Sequence, residues 1–491
     1  MKILFATSEA HPLIKTGGLA DVSGSLPDAY HHLKHKVRMV LPAYGDIWEK
    51  VSNVKQLSEL SIVSCGRQLH VRIHAASAEG IDIPIWLVDI PELFHRPGNP
   101  YLALDGKDWW DNGERFAVFS KVVAEIAMNR AGLKWQPDLV QSNDWQTGLV
   151  PALLTLESIR PKTVFTIHNM AYAGLFPKSL FEGLGLPWKW WEPDRGIEFY
   201  DNMSMLKAGI QMADRVTTVS PSYAKEITFS EYAYGLEGVL IRRLDEGHLI
   251  GILNGIDQDV WNPKTDPFID HHYSADKGRV AAKKRNKKDM LDFWDLPTSV
   301  IESDDPVVGL VGRLVSQKGI DLVLEVLPEL IEQTHARFII VGTGDSVFEY
   351  HLTELAHQYP QRLMTYIGYS ESLAHKVEAG ADLFLMPSRF EPCGLNQLYS
   401  LAYGTPPIVH STGGLSDTVA NATKENLASG QATGFVFYDP SRHALKSTIL
   451  HALHLFSKKG TWQKLQKNGM RQDFSWTRSA KQYLALFKAI V

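Results

Sequence analysis

The segment SRFEPCGLNQLYSLAYGTPPIVHSTGGLSD, Ser388 to Asp417, decides the fold of this chain. The apolar run Leu383 to Met386 before it predicts a short strand buried on both faces, and the pattern Leu395 to Tyr403 after Gly394 predicts a helix. Glu391 therefore lies where a parallel strand ends and a helix begins, which is the edge of an open α/β sheet that binds ligands. A carboxylate there would repel a phosphate unless it faced a neutral or positive group, so Glu391 is a functional candidate.

Signals for buried strands and helices alternate on both sides of this segment. The strands predicted in the first half are Ile3–Thr7, Val37–Leu41, Asp138–Gln141, Thr163–Ile167, Arg215–Val219 and Leu249–Leu253, with a hairpin at Leu69–Ala75 and Ile83–Asp89. The strands predicted in the second half are Val307–Val311, Arg337–Val341, Leu363–Ile367, Leu383–Met386 and Pro407–His410. With helices between the strands, this alternation predicts an α/β protein with two doubly wound, Rossmann-like domains.

The length of 491 residues exceeds what one hydrophobic core supports, which agrees with two domains. We expect an N-terminal domain at residues 1–252 and a C-terminal domain at 253–474. The closing helix within 475–491 either stays on the second domain or crosses back to the first. Between the domains a basic run is interpreted as a solvated helix face; its residues are Lys283, Lys284, Arg285, Lys287 and Lys288.

Composition excludes several classes of partner. A net charge of −5 argues against nucleic acid and against an anionic membrane surface, so a bound phosphate would need local cations. The two cysteines are too few for a disulfide framework and suit a reducing cytoplasm. We predict neither a signal peptide nor a membrane span, since no apolar run reaches about 18 residues. The sequence predicts no oligomeric state.

One motif occurs in both halves: TGGLxD at Thr16–Asp21 and again at Thr412–Asp417. Paired glycines let backbone N–H groups approach an anion at a helix start, or else they make tight turns with positive φ. Two facing domains with such loops suggest a ligand in a deep cleft between them. Arg313 and Lys318, after a predicted strand, and Lys15, at the matching edge of the first domain, are placed to bind a diphosphate.

Two other phosphate motifs are absent. The chain has no GxxxxGK[ST], which excludes a P-loop. Gly342-Thr343-Gly344 begins a GxGxxG pattern, but Val347 replaces the third glycine and no acidic residue ends the next strand at Ile367. A nicotinamide site is therefore not expected.

Several long motifs, in order and spacing, resemble those of bacterial glycogen synthases, also called starch synthases. They are KTGGLAD (Lys15–Asp21), IHN (Ile167–Asn169), NGID (Asn254–Asp257), GRLVSQKG (Gly312–Gly319), SRFEPCGL (Ser388–Leu395) and TGGLSD. The resemblance covers nearly the whole chain. It implies a GT-B type, retaining enzyme that transfers glucose from ADP-glucose to the non-reducing 4-OH of an α-1,4-glucan, with no cofactor and no metal ion. UDP-glucose or another acceptor is the alternative.

The same resemblance implies roles for individual residues. Arg313 and Lys318 would stabilise the leaving ADP, and His168 would face the anomeric carbon. Glu391 would either stabilise the oxocarbenium-like state or anchor the donor. The donor-binding residues implied are Lys15, Gly18, Asp21, Tyr101, Asn254, Tyr369, Ser388, Cys393, Gly394, Leu395, Gly413 and Gly414. Of these, Cys393 is given no catalytic role, because a small buried hydrophobe explains it.

Two positions depart from the wider pattern. Asn396 stands where the family often has Thr, which bears on donor affinity, and Tyr399 stands where a second Glu often occurs eight residues after the first. A mechanism that needs two carboxylates in this motif is thus excluded. The acceptor would lie on the first domain, where Trp109-Trp110 and the cluster Trp188–Trp191 either stack on sugar rings or serve in packing.

Two functions other than the synthase are a sugar-nucleotide epimerase of the same fold and a non-catalytic glucan-binding protein. The binding protein would have no need for Lys15, Arg313, Lys318 and Glu391 together.

Overall fold

Residues 1–276 and 279–491 are described by the structure, a computed structural model. They divide into two units, residues 1–255 with 476–491 and residues 256–475. Each unit contains a mostly parallel sheet with helices packed on it.

The first unit has a large sheet and a small one. The strands of the large sheet are β1 (Lys2–Ala6), β2 (Lys36–Pro42), β3 (Ser52–Ser64), β4 (Arg67–Ala78), β5 (Ile81–Asp89), β6 (Leu139–Asn143), β7 (Lys162–Ile167), β11 (Arg215–Thr218) and β12 (Leu249–Gly251). In the described chain their order is β12-β11-β7-β6-β1-β2-β5-β4-β3; the pairs β5-β4 and β4-β3 are antiparallel, and the other pairs are parallel. The small antiparallel sheet contains β8 (Leu175–Pro177), β9 (Glu198–Phe199) and β10 (Asn202–Ser204).

The helices of the first unit follow its strands, and one of them comes from the far end of the sequence. They are α1 (Gly18–His32), α2 (Pro91–Phe94), α3 (Asn112–Ala127), α4 (Leu149–Leu154), α5 (Lys178–Gly183), α6 (Met205–Met212), α7 (Pro221–Glu226), α8 (Ser230–Ala233), α9 (Glu237–Asp245) and α20 (Trp476–Lys488). Helix α20 packs on α1, where the ring of Tyr30 lies 6.2 Å from Tyr483 and 5.6 Å from Phe487, centroid to centroid. The closing helix therefore crosses back to the first unit.

The strands of the second unit are β13 (Val307–Val311), β14 (Arg337–Gly342), β15 (Leu363–Ile367), β16 (Leu383–Met386), β17 (Pro407–His410) and β18 (Phe435–Phe437). They form one sheet that is parallel throughout, with the order β15-β14-β13-β16-β17-β18. Successive side chains point to opposite faces: Phe338 and Ile340 join one core, and Ile339 and Val341 join the other. A strand buried on both faces needs helices on both, which is the doubly wound arrangement.

The helices of the second unit cover those two faces. They are α10 (Lys283–Asp292), α11 (Thr298–Ile301), α12 (Ile320–Gln333), α13 (Ser346–Gln358), α14 (Glu371–Gly380), α15 (Asn396–Ala402), α16 (Gly413–Thr418), α17 (Lys424–Ser429), α18 (Arg442–Phe456) and α19 (Lys459–Met470). Helices α12, α18 and α19 contribute to one core, and α10 and α14 contribute to the other. No helix in the described ranges has both the length and the apolar character to cross a membrane.

The interpretation of the basic run as a solvated face is wrong for two of its members. Lys283 and Lys287 are only 4% and 6% exposed, because they lie four residues apart on the face of α10 that packs against α14. The Nζ of Lys283 donates to the carbonyl oxygens of Glu378 and Ala379, and that of Lys287 lies 2.6 Å from Asp382 Oδ2. Burial lowers the pKa of Lys283 to about 7.

Candidate active site

Three loops of the second unit meet at the carboxyl edge of its sheet. They follow β13, β16 and β17, and the strand order reverses between β13 and β16. Such a reversal opens a crevice beyond the strand ends, where the N-termini of the following helices also point. Ser388, Glu391 and Lys318 come from two of these loops, and Gly413 begins the helix after the third.

A lysine and a carboxylate are paired at this edge. The Nζ of Lys318 lies 2.5 Å from Glu391 Oε2, and the same oxygen accepts a hydrogen bond from Ser388 Oγ at 3.0 Å. The Glu391 side chain is 10% exposed and that of Lys318 is 25% exposed. Three residues predicted from the sequence as site residues are therefore in direct contact.

Arg313 belongs to the same loop as Lys318 but points outward. It is exposed, and its NH2 group donates to Gln317 Oε1 at 3.3 Å. Gln317 in turn donates from Nε2 to the carbonyl oxygen of Phe390 at 2.7 Å, and its own carbonyl accepts from the N–H of Arg389 at 2.9 Å. The loop that carries both cations is thus tied to the loop that carries Glu391.

The TGGL glycines of the second unit are required by close contact. A Cβ at Gly413, where φ is 43°, would lie 2.0 Å from the carbonyl oxygen of Glu391, and one at Gly414 would lie 2.1 Å from that of Cys393. The copy in the first unit differs, since Gly17 is extended at φ −157° and a Cβ at Gly17 or at Gly18 would meet nothing within 4 Å. The tight-turn interpretation therefore fits only the second copy, although both copies begin a helix.

The remaining predicted residues of the second unit lie in two places. Cys393 is buried, Gly394 adopts φ 73° and Leu395 immediately precedes α15, so these three belong to the loop of Glu391. Tyr369 follows β15, two strands away from β13 in the sheet, and is 78% exposed. Asn396 begins α15, and its Nδ2 donates to the carbonyl oxygen of Val311 at 2.7 Å, so the amide joins this loop to the end of β13.

The corresponding edge of the first unit contains a buried glutamate that the sequence analysis missed. Glu9 follows β1 and accepts hydrogen bonds from Thr16 N, Thr16 Oγ1, Gly17 N and the hydroxyl of Tyr101. Lys15 pairs with Asp21 at 2.6 Å across the same loop. The structure thus brings Lys15, Gly18, Asp21 and Tyr101 to one region of this unit.

His168 directly follows β7 and is held by two neighbours. Its backbone N–H donates to Asp144 Oδ1 at 2.7 Å, and its Nε2 lies 3.0 Å from Asn143 Oδ1. Because Asn143 Nδ2 donates to the carbonyl oxygen of Ala6, its Oδ1 must accept, which places the proton on His168 Nε2 and leaves Nδ1 as an acceptor. Burial lowers the pKa of His168 to about 3, so the ring is neutral.

Asp144 is the second acidic residue that the sequence analysis missed. It follows β6 with φ 54°, and burial raises its pKa to about 7 despite hydrogen bonds from the backbone of His168 and Asn169. An acidic residue directly after a buried parallel strand was the available signal for Asp144, since a similar position singled out Glu391.

Asn254 and the tryptophans complete the predicted set. Asn254 is buried, and its Oδ1 has no hydrogen-bond partner in the described chain. Trp110 and Trp188 are 85% and 60% exposed, which leaves their rings accessible to a sugar, whereas Trp190 is buried and serves in packing. Across residues 1–276 and 279–491 no group of three or more His, Cys, Asp or Glu residues could hold a metal ion.

Comparison with known proteins identifies the class. Residues 2–242 match the family described as starch synthase catalytic domain, and residues 295–469 match the glycosyl transferases group 1 family. The catalytic domain of starch synthase IV from Arabidopsis thaliana, solved with ADP and acarbose, is similar with a TM-score of 0.87 and 29% identity, over 99% of this chain and 98% of that one. Sucrose-phosphate synthase from Thermosynechococcus elongatus shares the fold, with a TM-score of 0.60 and 17% identity over 100% and 98% of the two chains. The fold and these matches define a retaining glycosyltransferase of the GT-B type.

Two curated relatives narrow the class further. The chain is 92% identical to the glycogen synthase of Hydrogenovibrio crunogenus and 48% identical to that of Thioalkalivibrio sulfidiphilus, in each case over 100% of both chains. It belongs to the glycogen synthase family. The predicted fold class, two doubly wound Rossmann-like domains of the GT-B type, and the predicted synthase activity are confirmed. The enzyme uses a nucleotide-sugar donor and a glucan acceptor.

Proposed function

We propose that the enzyme transfers glucose from ADP-glucose to the non-reducing 4-OH of an α-1,4-glucan with retention of configuration. The contact of Lys318, Glu391 and Ser388 at the strand-order reversal of the second unit carries this proposal. A cation suits a diphosphate and a carboxylate suits the sugar, so the pair matches the two halves of a sugar nucleotide. We assign the donor to the second unit and the glucan to the first.

Arg313 and Lys318 stabilise the leaving ADP in this proposal. Negative charge grows on the diphosphate as its bond to the glucose breaks, and fixed cations in a water-poor site lower the energy of that state. Lys318 is oriented by its contact with Glu391, whereas Arg313 is exposed and has a weak contact with Gln317 at 3.3 Å. Arg313 can therefore turn to form a bidentate contact at little cost.

Glu391 acts on the transferring glucose. Its Oε2 receives both Lys318 and Ser388, so we assign Oε1 to the sugar. There it would either stabilise positive charge at the anomeric carbon or accept a hydrogen bond from a hydroxyl group. The other proposed donor contacts in the loop of Glu391 are backbone groups of Cys393, Gly394 and Leu395. Gly413 and Gly414, which pack against that loop, and Tyr369 are further proposed donor contacts.

The first unit contributes further contacts. Lys15, Gly18, Asp21 and Tyr101 are proposed as donor contacts, since Glu9 holds their loops together. His168 is neutral, so it acts by accepting a hydrogen bond at Nδ1 rather than by supplying positive charge. Asn254 is also assigned to the donor, because its buried Oδ1 lacks a hydrogen-bond partner among residues 1–276 and 279–491.

Exposed tryptophans are the proposed start of the acceptor surface. The accessible rings of Trp110 and Trp188 offer flat apolar faces that stack on glucose units. We also propose that the enzyme works in the cytoplasm, because a chain with only two cysteines suits a reducing compartment.

The test compares two sugar-nucleotide donors in separate reactions. The protein is incubated with ADP-glucose or UDP-glucose and a maltooligosaccharide primer, and released nucleotide and product length are measured. We expect ADP release coupled to primer elongation, with kcat/KM for ADP-glucose at least tenfold above that for UDP-glucose. Preference for UDP-glucose would contradict the donor assignment, and nucleotide release without elongation would contradict the acceptor assignment.

A further inference from the structure

Glu9 lies in the loop after β1, is 3% exposed and contacts two separate loops. Its Oε1 accepts from Thr16 Oγ1 at 2.6 Å and from the Tyr101 hydroxyl at 2.5 Å. Its Oε2 accepts from Thr16 N at 2.5 Å and from Gly17 N at 3.3 Å. We propose that Glu9 is a positioning residue that fixes the Lys15–Asp21 loop and Tyr101 in the geometry that binds the sugar nucleotide.

The partners of Glu9 suit this role, because all four are neutral donors. Three of these hydrogen bonds come from Thr16 and Gly17 in the Lys15–Asp21 loop and the fourth comes from Tyr101, so one side chain holds both segments. Two come from backbone N–H groups just before α1, where the helix dipole also favours a negative charge. Lys15 pairs with Asp21 instead, so Glu9 does not neutralise the cation that we assign to the donor.

Because Glu9 also binds Tyr101, it connects two loops, the Lys15–Asp21 loop and the loop that carries Tyr101. Tyr101 lies between α2 and α3, 92 residues from Glu9 in sequence, and its hydroxyl is also 2.8 Å from Ser8 Oγ. Burial and the negative charge of Glu9 raise the pKa of Tyr101 well above its ordinary value, so it remains a phenol that donates to Glu9. Two adjacent residues after β1 therefore hold these segments: Ser8 contacts Tyr101, and Glu9 contacts both Tyr101 and the Lys15–Asp21 loop.

This inference rests on the proposed function, because it takes both loops to be donor contacts. It predicts a selective kinetic defect. Loss of Glu9 should raise KM for the donor and lower kcat, since both loops lose their common anchor, while KM for the glucan primer should change by less than about twofold.

Two substitutions separate hydrogen bonding from charge. In Glu9→Gln the remaining oxygen can accept from Thr16 N and Gly17 N, and the new NH2 group can donate to the two hydroxyl groups, which reverse direction. Glu9→Ala removes all four contacts. We expect Glu9→Ala to raise donor KM about tenfold or more, and Glu9→Gln to stay within about threefold of the wild type.

A matched control lies on α1, the helix that begins within the segment Glu9 holds. Tyr30→Phe removes one buried hydrogen bond of α1, from the Tyr30 hydroxyl to Gln141 Oε1 at 3.0 Å, and leaves the loop intact. Its donor KM should equal that of the wild type. Hydrogen exchange followed by mass spectrometry supplies a direct measure: the amides of Thr16 and Gly17 should exchange faster in Glu9→Ala but not in Glu9→Gln or Tyr30→Phe.

Several results would overturn the proposal. They are an unchanged donor KM in folded Glu9→Ala, an equal rise in the donor and glucan KM values, a Glu9→Gln defect as large as that of Glu9→Ala, or a higher KM without faster exchange. If Glu9→Ala does not fold, Thr16→Val decides, with an expected rise in donor KM of about threefold. All variants are assayed with the donor that the wild type prefers, so an error in the proposed donor shows in the wild type alone.

Discussion

The neutral state of His168 has a measurable effect on stability. Burial lowers its pKa to about 3 in the folded enzyme, whereas an unfolded histidine has a pKa of about 6.5. Between these values the unfolded chain binds a proton that the folded enzyme does not, so acidification below about 6.5 favours unfolding by about 1.4 kcal/mol per pH unit. From pH 7.5 to pH 5.0 the accumulated loss is about 2 kcal/mol, because about 1.5 units lie below the unfolded pKa.

The variant His168→Gln isolates this contribution. Its side-chain NH2 can still donate to Asn143 Oδ1, but it binds no proton in this range. Asp144, whose raised pKa of about 7 gives the opposite trend, keeps its hydrogen bond from the backbone N–H of residue 168 in both proteins, so its effect cancels in the difference.

Urea denaturation of both proteins at pH 7.5, 6.5, 5.5 and 5.0 is the measurement. The free energy of unfolding of the wild type minus that of His168→Gln should fall by about 2 kcal/mol between the first and the last pH. A difference that stays constant within about 0.5 kcal/mol would refute the buried, neutral histidine and with it the assignment of Nδ1 as an acceptor.

Three further predictions concern the second unit. Lys318→Ala and Arg313→Ala should each lower kcat by about 10²-fold or more in steady-state assays, and a change confined to KM would reassign either residue to ground-state binding. Glu391→Gln should lose most of its turnover while Kd for ADP, measured by calorimetry, stays within about tenfold; near-normal turnover of a folded variant would contradict both proposed roles of Glu391. Gly414→Ala should lower stability by about 1–3 kcal/mol and reduce turnover, because its Cβ would displace the loop of Glu391, whereas Gly460→Ala, in helix α19 with nothing within 4 Å, should do neither. Equal thermal shifts for the two glycine variants would argue against that steric reason.

The second unit was more readable from sequence than the first. Its strands are short apolar runs buried on both faces, and four of the five predicted there, including Leu383–Met386, have the observed bounds. Strand β3 was missed because most of Ser52–Ser64 is exposed and lacks a buried face, and β18 was missed because Phe435–Phe437 is too short to give a pattern.

In the candidate site, too, only residues in a recognisable local pattern could be predicted from the sequence. Lys318 and Glu391 lie in motifs next to strand ends, and their contact follows from neighbouring strands. Glu9 could not be found in this way, because its partners lie 7, 8 and 92 residues away and no local pattern announces them. The prediction for Lys283 was wrong because a charged residue by itself suggests an exposed position. In the structure Lys283 lies on the buried face of α10.

The return of α20 to the first unit has a consequence for synthesis on the ribosome. Tyr30 is among the first residues to emerge, yet Tyr483 and Phe487, which cover its ring, are translated only after all of residues 256–475. The nascent first unit must therefore keep an apolar face of α1 uncovered during most of elongation. A message truncated anywhere in the second unit therefore yields a product that still exposes this face.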